Sequence, residues 1–181
     1  VARQRQYAEL LLERIDAGQA TPRSVALAKA MMERAVRATP DDDLLREKLG
    51  DLLLRTGDLS GALDNYSTIL GHIDSPDRPR AAVDGPERGR IAILTAALAA
   101  QLGRFDEAES LLSSLIGFDP ATKRFAAGAA SDPEHAGAYP SLARIMEKHR
   151  RDPQAASRIM ARLTEDHPEL AEAAKFSAVW S

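Results

Sequence analysis

The chain has 181 residues, no cysteine, and a formal charge of -3 from 27 acidic and 24 basic side chains. That balance excludes the net positive field that draws a protein to nucleic acid or anionic lipid. The missing cysteine excludes a disulfide framework, thiolate metal sites and thiol catalysis, and leaves either redox compartment open. Apolar residues make up 44% of the chain but aromatic residues only 4%, and the apolar share is carried by Leu and Ala. Such a composition favours close helix–helix packing over a sandwich or barrel. The longest strongly apolar stretch, Ile91 to Leu102, falls well short of the roughly 20 residues of a membrane helix. A soluble segment without membrane insertion is expected.

Taken in chain order, Tyr7, Leu10, Leu11 and Ile15 share one face at three- and four-residue spacing and predict a first helix from about Ala2 to Ile15. Thr21 as N-cap and Pro22 in the first turn open a second, to about Ala38. The run Asp41 to Asp43 supplies caps and favourable charge for a third, ending near Gly57; no alternating oxygen-ligand loop surrounds these aspartates, so capping is their reading. A fourth helix spans Leu59 to Ile73, and residues 71–86, with three prolines and two glycines, form a first inserted loop. Helices from Pro86 to Leu102 and from Phe105 to Gly117 follow. Residues 119–137, rich in small side chains, form a second insertion, whose Phe125 either packs back or stands exposed as a contact. The last pair runs from Tyr139 to His149 and from Pro153 to Glu165. Residues 169–181 are expected as a capping helix or as the start of a truncated fifth repeat. The chain begins at Val1 and ends inside this apparently helical segment, which reads as a piece of a longer protein.

Four segments share a frame. Ala62 is followed by Tyr66, Ile69 and a breaker at Asp74 to Pro76; Ala28 leads to Met32, Ala35 and Pro40; Ala108 to Leu112, Leu115 and Pro120; Ala156 to Met160, Leu163 and Pro168. The alanines are 34, 46 and 48 residues apart, the last two intervals being lengthened by the insertions. Leu49 and Gly50, the turn Gly57, the small Ala62 and the aromatic Tyr66, like Leu102 to Pro120 further on, resemble the tetratricopeptide repeat. Leu53 stands where the family pattern has its first aromatic, Arg46 where it often has Trp, and Arg150 to Pro153 replace the last turn glycine. The resemblance implies an all-α, right-handed α-solenoid of antiparallel hairpins at about 2–38, 41–73, 86–117 and 138–166. Gly50 and Ala62 remove bulk where helices cross, and Gly57 supplies the positive φ of a helix C-cap.

No chemistry-bearing pattern stands out. His72, His135, His149 and His167 fall at helix ends or in loops, with no pair at i, i+4 and no HExxH, so solvated or C-capping roles are expected. No phosphate-cradling glycine loop or nucleophile elbow occurs, and no cofactor, metal or catalytic residue is assigned. The resemblance instead implies a non-catalytic interaction module or assembly scaffold, whose groove is lined by the first helix of each hairpin. Its candidate residues are Glu47, Lys48, Asp51 and Arg55, then Arg90, Ile93, Leu94 and Ala97, then Ser141, Leu142 and Ile145. Ile93 and Leu94 have core burial as their alternative reading, because that helix is apolar nearly all round. Leu94 and Ala97 occupy places where chaperone-binding family members carry polar clamp residues, so a carboxylate clamp is not expected. The partner is expected to be a protein or peptide with an apolar segment, docked helix-in-groove. Self-association into a homo-oligomer is the alternative, and an enzyme with an unrecognised site the remote one. Compartment is left open. Arg makes up 19 of the 24 basic residues, a compositional hint of GC-rich, bacterial coding.

Overall fold

The structure is a computed structural model that describes residue 17 and residues 21–75, 86–127 and 132–169. The expected first helix, the centre of the first insertion and the C-terminal segment beyond residue 169 lie outside the described residues. The chain divides into two compact units, Val1–Arg78 and Pro79–Ser181.

The first unit contains α1 (Pro22–Ala38), α2 (Asp43–Arg55) and α3 (Leu59–Ile73). Thr21 and Ser24 form a reciprocal capping box at the start of α1, with Pro22 in its first turn. Asp42 caps α2 by accepting from the Leu45 N–H at 3.0 Å, and Asp58 caps α3 by accepting from the Gly61 N–H at 3.0 Å. Asp58 also receives the Lys29 ammonium of α1 at 2.7 Å. The Lys29 hydrogen bond, followed by that from Gly61, holds the Asp58 carboxyl below its ordinary pKa. Arg46 donates to the Pro40 carbonyl at 2.8 Å and so ties α2 back to the turn that precedes it.

The hairpin α2–α3 closes on a glycine. A Cβ at Gly50 would stand 3.0 Å from the Tyr66 ring, so the missing side chain lets the phenol end of the ring come up against α2. Ala62 and Tyr66 are both fully buried. At the turn, Gly57 takes φ +81, the Gly57 N–H bonds to the Leu54 carbonyl and the Asp58 N–H to that of Leu53. This pattern is a Schellman motif.

The second unit repeats the plan. It contains α4 (Pro86–Gln101), α5 (Phe105–Ile116), a two-stranded ribbon of β1 (Phe118–Asp119) and β2 (Arg124–Phe125), a single 3-10 turn at Pro133–His135, then α6 (Ala138–Lys148) and α7 (Pro153–Asp166). Gly103 takes φ +77 between α4 and α5 with the same two backbone bonds, to Ala100 and Ala99. Ala108 is buried as Ala62 is. In the last hairpin the residue before the capping aspartate is Arg151, which takes φ +55 without being glycine. There the Asp152 N–H reaches the Met146 carbonyl, one residue further back than in the glycine turns. The fold is all-α, built of antiparallel helical hairpins of the solenoid class.

The second insertion differs from the small-residue loop expected of it. Phe118 pairs antiparallel with Phe125, and Asp119 with Arg124. Phe118 is buried, and Phe125 packs back on the unit: its ring meets Phe118 edge-on at 5.2 Å and lies 6.3 Å from that of Tyr139 at the start of α6. The ribbon forms because β1 follows directly on the left-handed Gly117 that ends α5, and aromatic pairing across the strands supplies the contact. The histidines are not simply solvated. His72 meets Asp43 at 2.6 Å, His149 stacks on Phe105 with centroids 3.5 Å apart, and His167 is buried. The His135 ring occupies the space beside Gly89, where a Cβ would overlap it.

Two stability changes follow. Ala108→Leu places three more heavy atoms where no space exists, and denaturant unfolding is expected to show a loss of about 1–3 kcal/mol. An unchanged midpoint would show that Ala108 is not at a tight crossing. Arg151→Gly relieves left-handed strain of about 1–2 kcal/mol against a glycine entropy cost of about 0.5–1 kcal/mol. A net gain of up to about 1.5 kcal/mol is expected by the same measurement.

Candidate functional site

Within the second unit, α4 and α6 border an open cleft of about 370 Å³. Its α4 wall is a run of small side chains, Ala96, Ala97 and Ala100, with Gln101 beyond them. The α6 wall presents Ser141, Arg144, Ile145 and His149, and Phe105 and Leu112 of α5 close the floor. The hollow exists because alanine leaves volume unfilled on α4 while α6 carries larger groups at three- and four-residue spacing. The His149 ring is held in place by its stack on Phe105, and the Ser141 hydroxyl donates to the Gly137 carbonyl at 3.0 Å. Apolar surface at the centre and hydrogen-bonding groups at the margin suit a partner's apolar side chains, with polar ends at the rim.

The sequence-predicted residues distribute unevenly over this geometry. Ala97, Ser141 and Ile145 come together in the cleft, although Ile145 is 4% exposed and only edges it. Leu142 is fully buried and belongs to the core rather than to the cleft. Ile93 and Leu94 are both half-buried, and the Ile93 side chain lies toward Gly137, 3.8 Å from where a Cβ there would stand. Arg90 is exposed outside the lining of the cleft. In the first unit, Glu47 and Lys48 are half-buried and Arg55 is exposed on α2. The Asp51 carboxylate accepts from the Tyr66 hydroxyl at 2.5 Å, so it serves its own hairpin. Ala100, Gln101 and Arg144 were not singled out by sequence, and His149 was expected only in a solvated or capping role. A stripe of alanines facing a neighbour at the i, i+3, i+4 positions of α4 was the signal available for the first of them.

Among the described residues no group of three or more His, Asp or Glu side chains could hold a metal ion. No helix there is long and apolar enough to cross a membrane.

Residues 23–79 match the family described as tetratricopeptide repeat. That segment, which holds α1, α2 and α3, carries the tetratricopeptide repeat. Similar solved structures include TTC0263, a thermophilic TPR protein of Thermus thermophilus, at 18% identity over 98% of this chain and 100% of that one, with a TM-score of 0.36. Two structures of MamA are each 15% identical. One covers 93% of this chain and 94% of its own with a TM-score of 0.38, the other 88% and 95% with 0.36. Likenesses of this degree say nothing of partner or activity. No curated protein sequence matches significantly. Tetratricopeptide repeats are generally interaction modules rather than enzymes, and they support a protein–protein interaction or scaffold role here.

The role of Asp51 can be checked by a double-mutant cycle. Tyr66→Phe and Asp51→Ala are each expected to cost about 0.5–1.5 kcal/mol in denaturant unfolding, and the double variant less than their sum. Full additivity would mean that the two groups do not act as one bond.

Proposed function

We propose that this chain is a non-catalytic interaction module that seats an apolar peptide segment or helix of a protein partner between α4 and α6. The observation that carries the reading is the alanine wall of α4, Ala96, Ala97 and Ala100, facing Ile145 across an open cleft. A volume of about 370 Å³ accommodates a few aliphatic side chains, and it lies at the low end of the range of about 300–1,000 Å³ usual for ligand sites. Burying two or three such side chains yields roughly 1.5–3 kcal/mol each. Association entropy offsets much of that gain, so the apolar contacts by themselves support a weak, transient complex. Gln101, Arg144 and His149 at the rim offer polar partners for the segment's backbone or ends. The charged groups Glu47, Lys48 and Arg55 on α2 are proposed as a separate contact surface of the first unit.

Selection from a random peptide library on the immobilised chain is expected to return sequences with two or three aliphatic residues at helical or extended spacing. Ala97→Glu, a change at an exposed position, is expected to weaken the selected peptides by about tenfold or more, equivalent to ~1.4 kcal/mol, with helicity unchanged by circular dichroism. Equal binding by that variant would place the surface elsewhere.

A further inference from the structure

A second cleft, of about 450 Å³, lies between the tip of the β1–β2 ribbon and α7. Its charged lining is Lys123, Arg124, Arg158 and Arg162 against the single carboxylate Glu165, with the half-buried Phe125 at its floor. In a chain whose formal charge is -3, this is a local reversal of sign. Two of the four cations are engaged: Lys123 pairs with Asp152, and Arg162 pairs with Asp166 at 2.6 Å. The Arg162 guanidinium also stands 5.7 Å from the centre of the Phe125 ring, within cation–π reach. Arg158 donates to the Lys123 carbonyl at 3.2 Å, and among the described residues neither Arg158 nor Arg124 has a carboxylate partner.

The cleft is held rigidly. Lys123 binds the start of α7 through Asp152 and its middle through Arg158, while Phe125 sits under Arg162 further along, so the ribbon is fastened along the helix. Lys123 itself takes φ +57, a left-handed conformation for which glycine is the ordinary choice. A lysine held there, in a turn that its N–H closes on the Asp119 carbonyl at 2.7 Å, keeps a cation at the mouth of the cleft at a cost in backbone strain.

We propose that this cleft docks an acidic peptide segment of a protein partner, one in which carboxylates alternate with apolar side chains. Arg124 and Arg158 are free to take carboxylates by the bidentate geometry that suits a planar guanidinium. The exposed part of Phe125 takes an apolar side chain between them. A nucleic-acid strand fits less well, since its affinity rests on a track of cations neutralising successive phosphates. Here Asp152, Asp166 and Glu165 stand among the cations and interrupt any such track.

The test uses fluorescence anisotropy at low ionic strength, with a labelled peptide of alternating Asp and Leu as probe. The whole chain is expected to bind it, to release it as salt is raised, and to ignore a Lys–Leu peptide of the same length. Arg124→Ala together with Arg158→Ala is expected to weaken binding about tenfold or more, and Glu165→Gln to strengthen it about two- to threefold, through loss of a like charge. Arg124→Ala alone guards against misreading a loosened ribbon, because that side chain has no partner among the described residues, and it should weaken binding by several-fold. Ala97→Glu should leave this binding unchanged, which separates it from the cleft between α4 and α6. Equal affinity of the double variant, no binding of the acidic peptide, or tighter binding of a single-stranded oligonucleotide of equal charge would each overturn the proposal.

Discussion

The interaction on which the α2–α3 hairpin depends is the close approach of its two helices where a side chain is missing. Gly50 lets the Tyr66 ring rest on the α2 backbone, and Ala62 is buried on the same helix as that ring. Because the aromatic sits tight against the first helix, its hydroxyl comes within reach of Asp51. The polar end of a fully buried ring is thereby satisfied, as a buried phenol requires. Ile69, Leu70 and Ile73, further along the same face of α3, are buried as well, and a lone hairpin could not cover such a face by itself.

The turns between paired helices follow from that closeness, because two helices this near can be joined only by a chain that reverses within a few residues. A left-handed residue does so in all three complete hairpins: Gly57, Gly103 and Arg151. Glycine carries the conformation at little cost in the first two. In the third the strain is borne by Arg151, with the Asp152 cap on Ala155 immediately after it. Insertions between hairpins are a different matter. Lengthening a loop is cheap, each doubling costing only about 0.6 kcal/mol, so the linker after α5 can carry a ribbon of its own without disturbing the repeat plan.

That economy separates two kinds of surface. The cleft between α4 and α6 is made by the first helices of successive hairpins and owes its volume to alanines. The charged edge is made by an insertion lying on α7, the second helix of its hairpin, and owes its character to Arg124 and Arg158, which pair with no carboxylate among the described residues. As proposed, one surface suits apolar side chains and the other carboxylates, so the second unit offers two chemically distinct contacts.

Local chemistry made much of this legible in the sequence. The helices, their aspartate and threonine caps, the glycine turns and the buried alanines depend on residues within one or two turns of one another, and periodicity and capping report such relations directly. The fold class followed from the spacing of Ala28, Ala62, Ala108 and Ala156. What tertiary structure decided concerns groups far apart in the chain. Helix α4 is apolar nearly all round, so periodicity could not say which side borders the cleft, and only its packing did. Leu142 proved to be core, and Asp51 was taken by a tyrosine fifteen residues on. His135 found its place beside Gly89, and the ribbon brought Lys123 and Arg124 to α7. None of these follows from spacing, because each depends on how separate elements meet, and the energy of meeting resides in contacts that sequence order does not record.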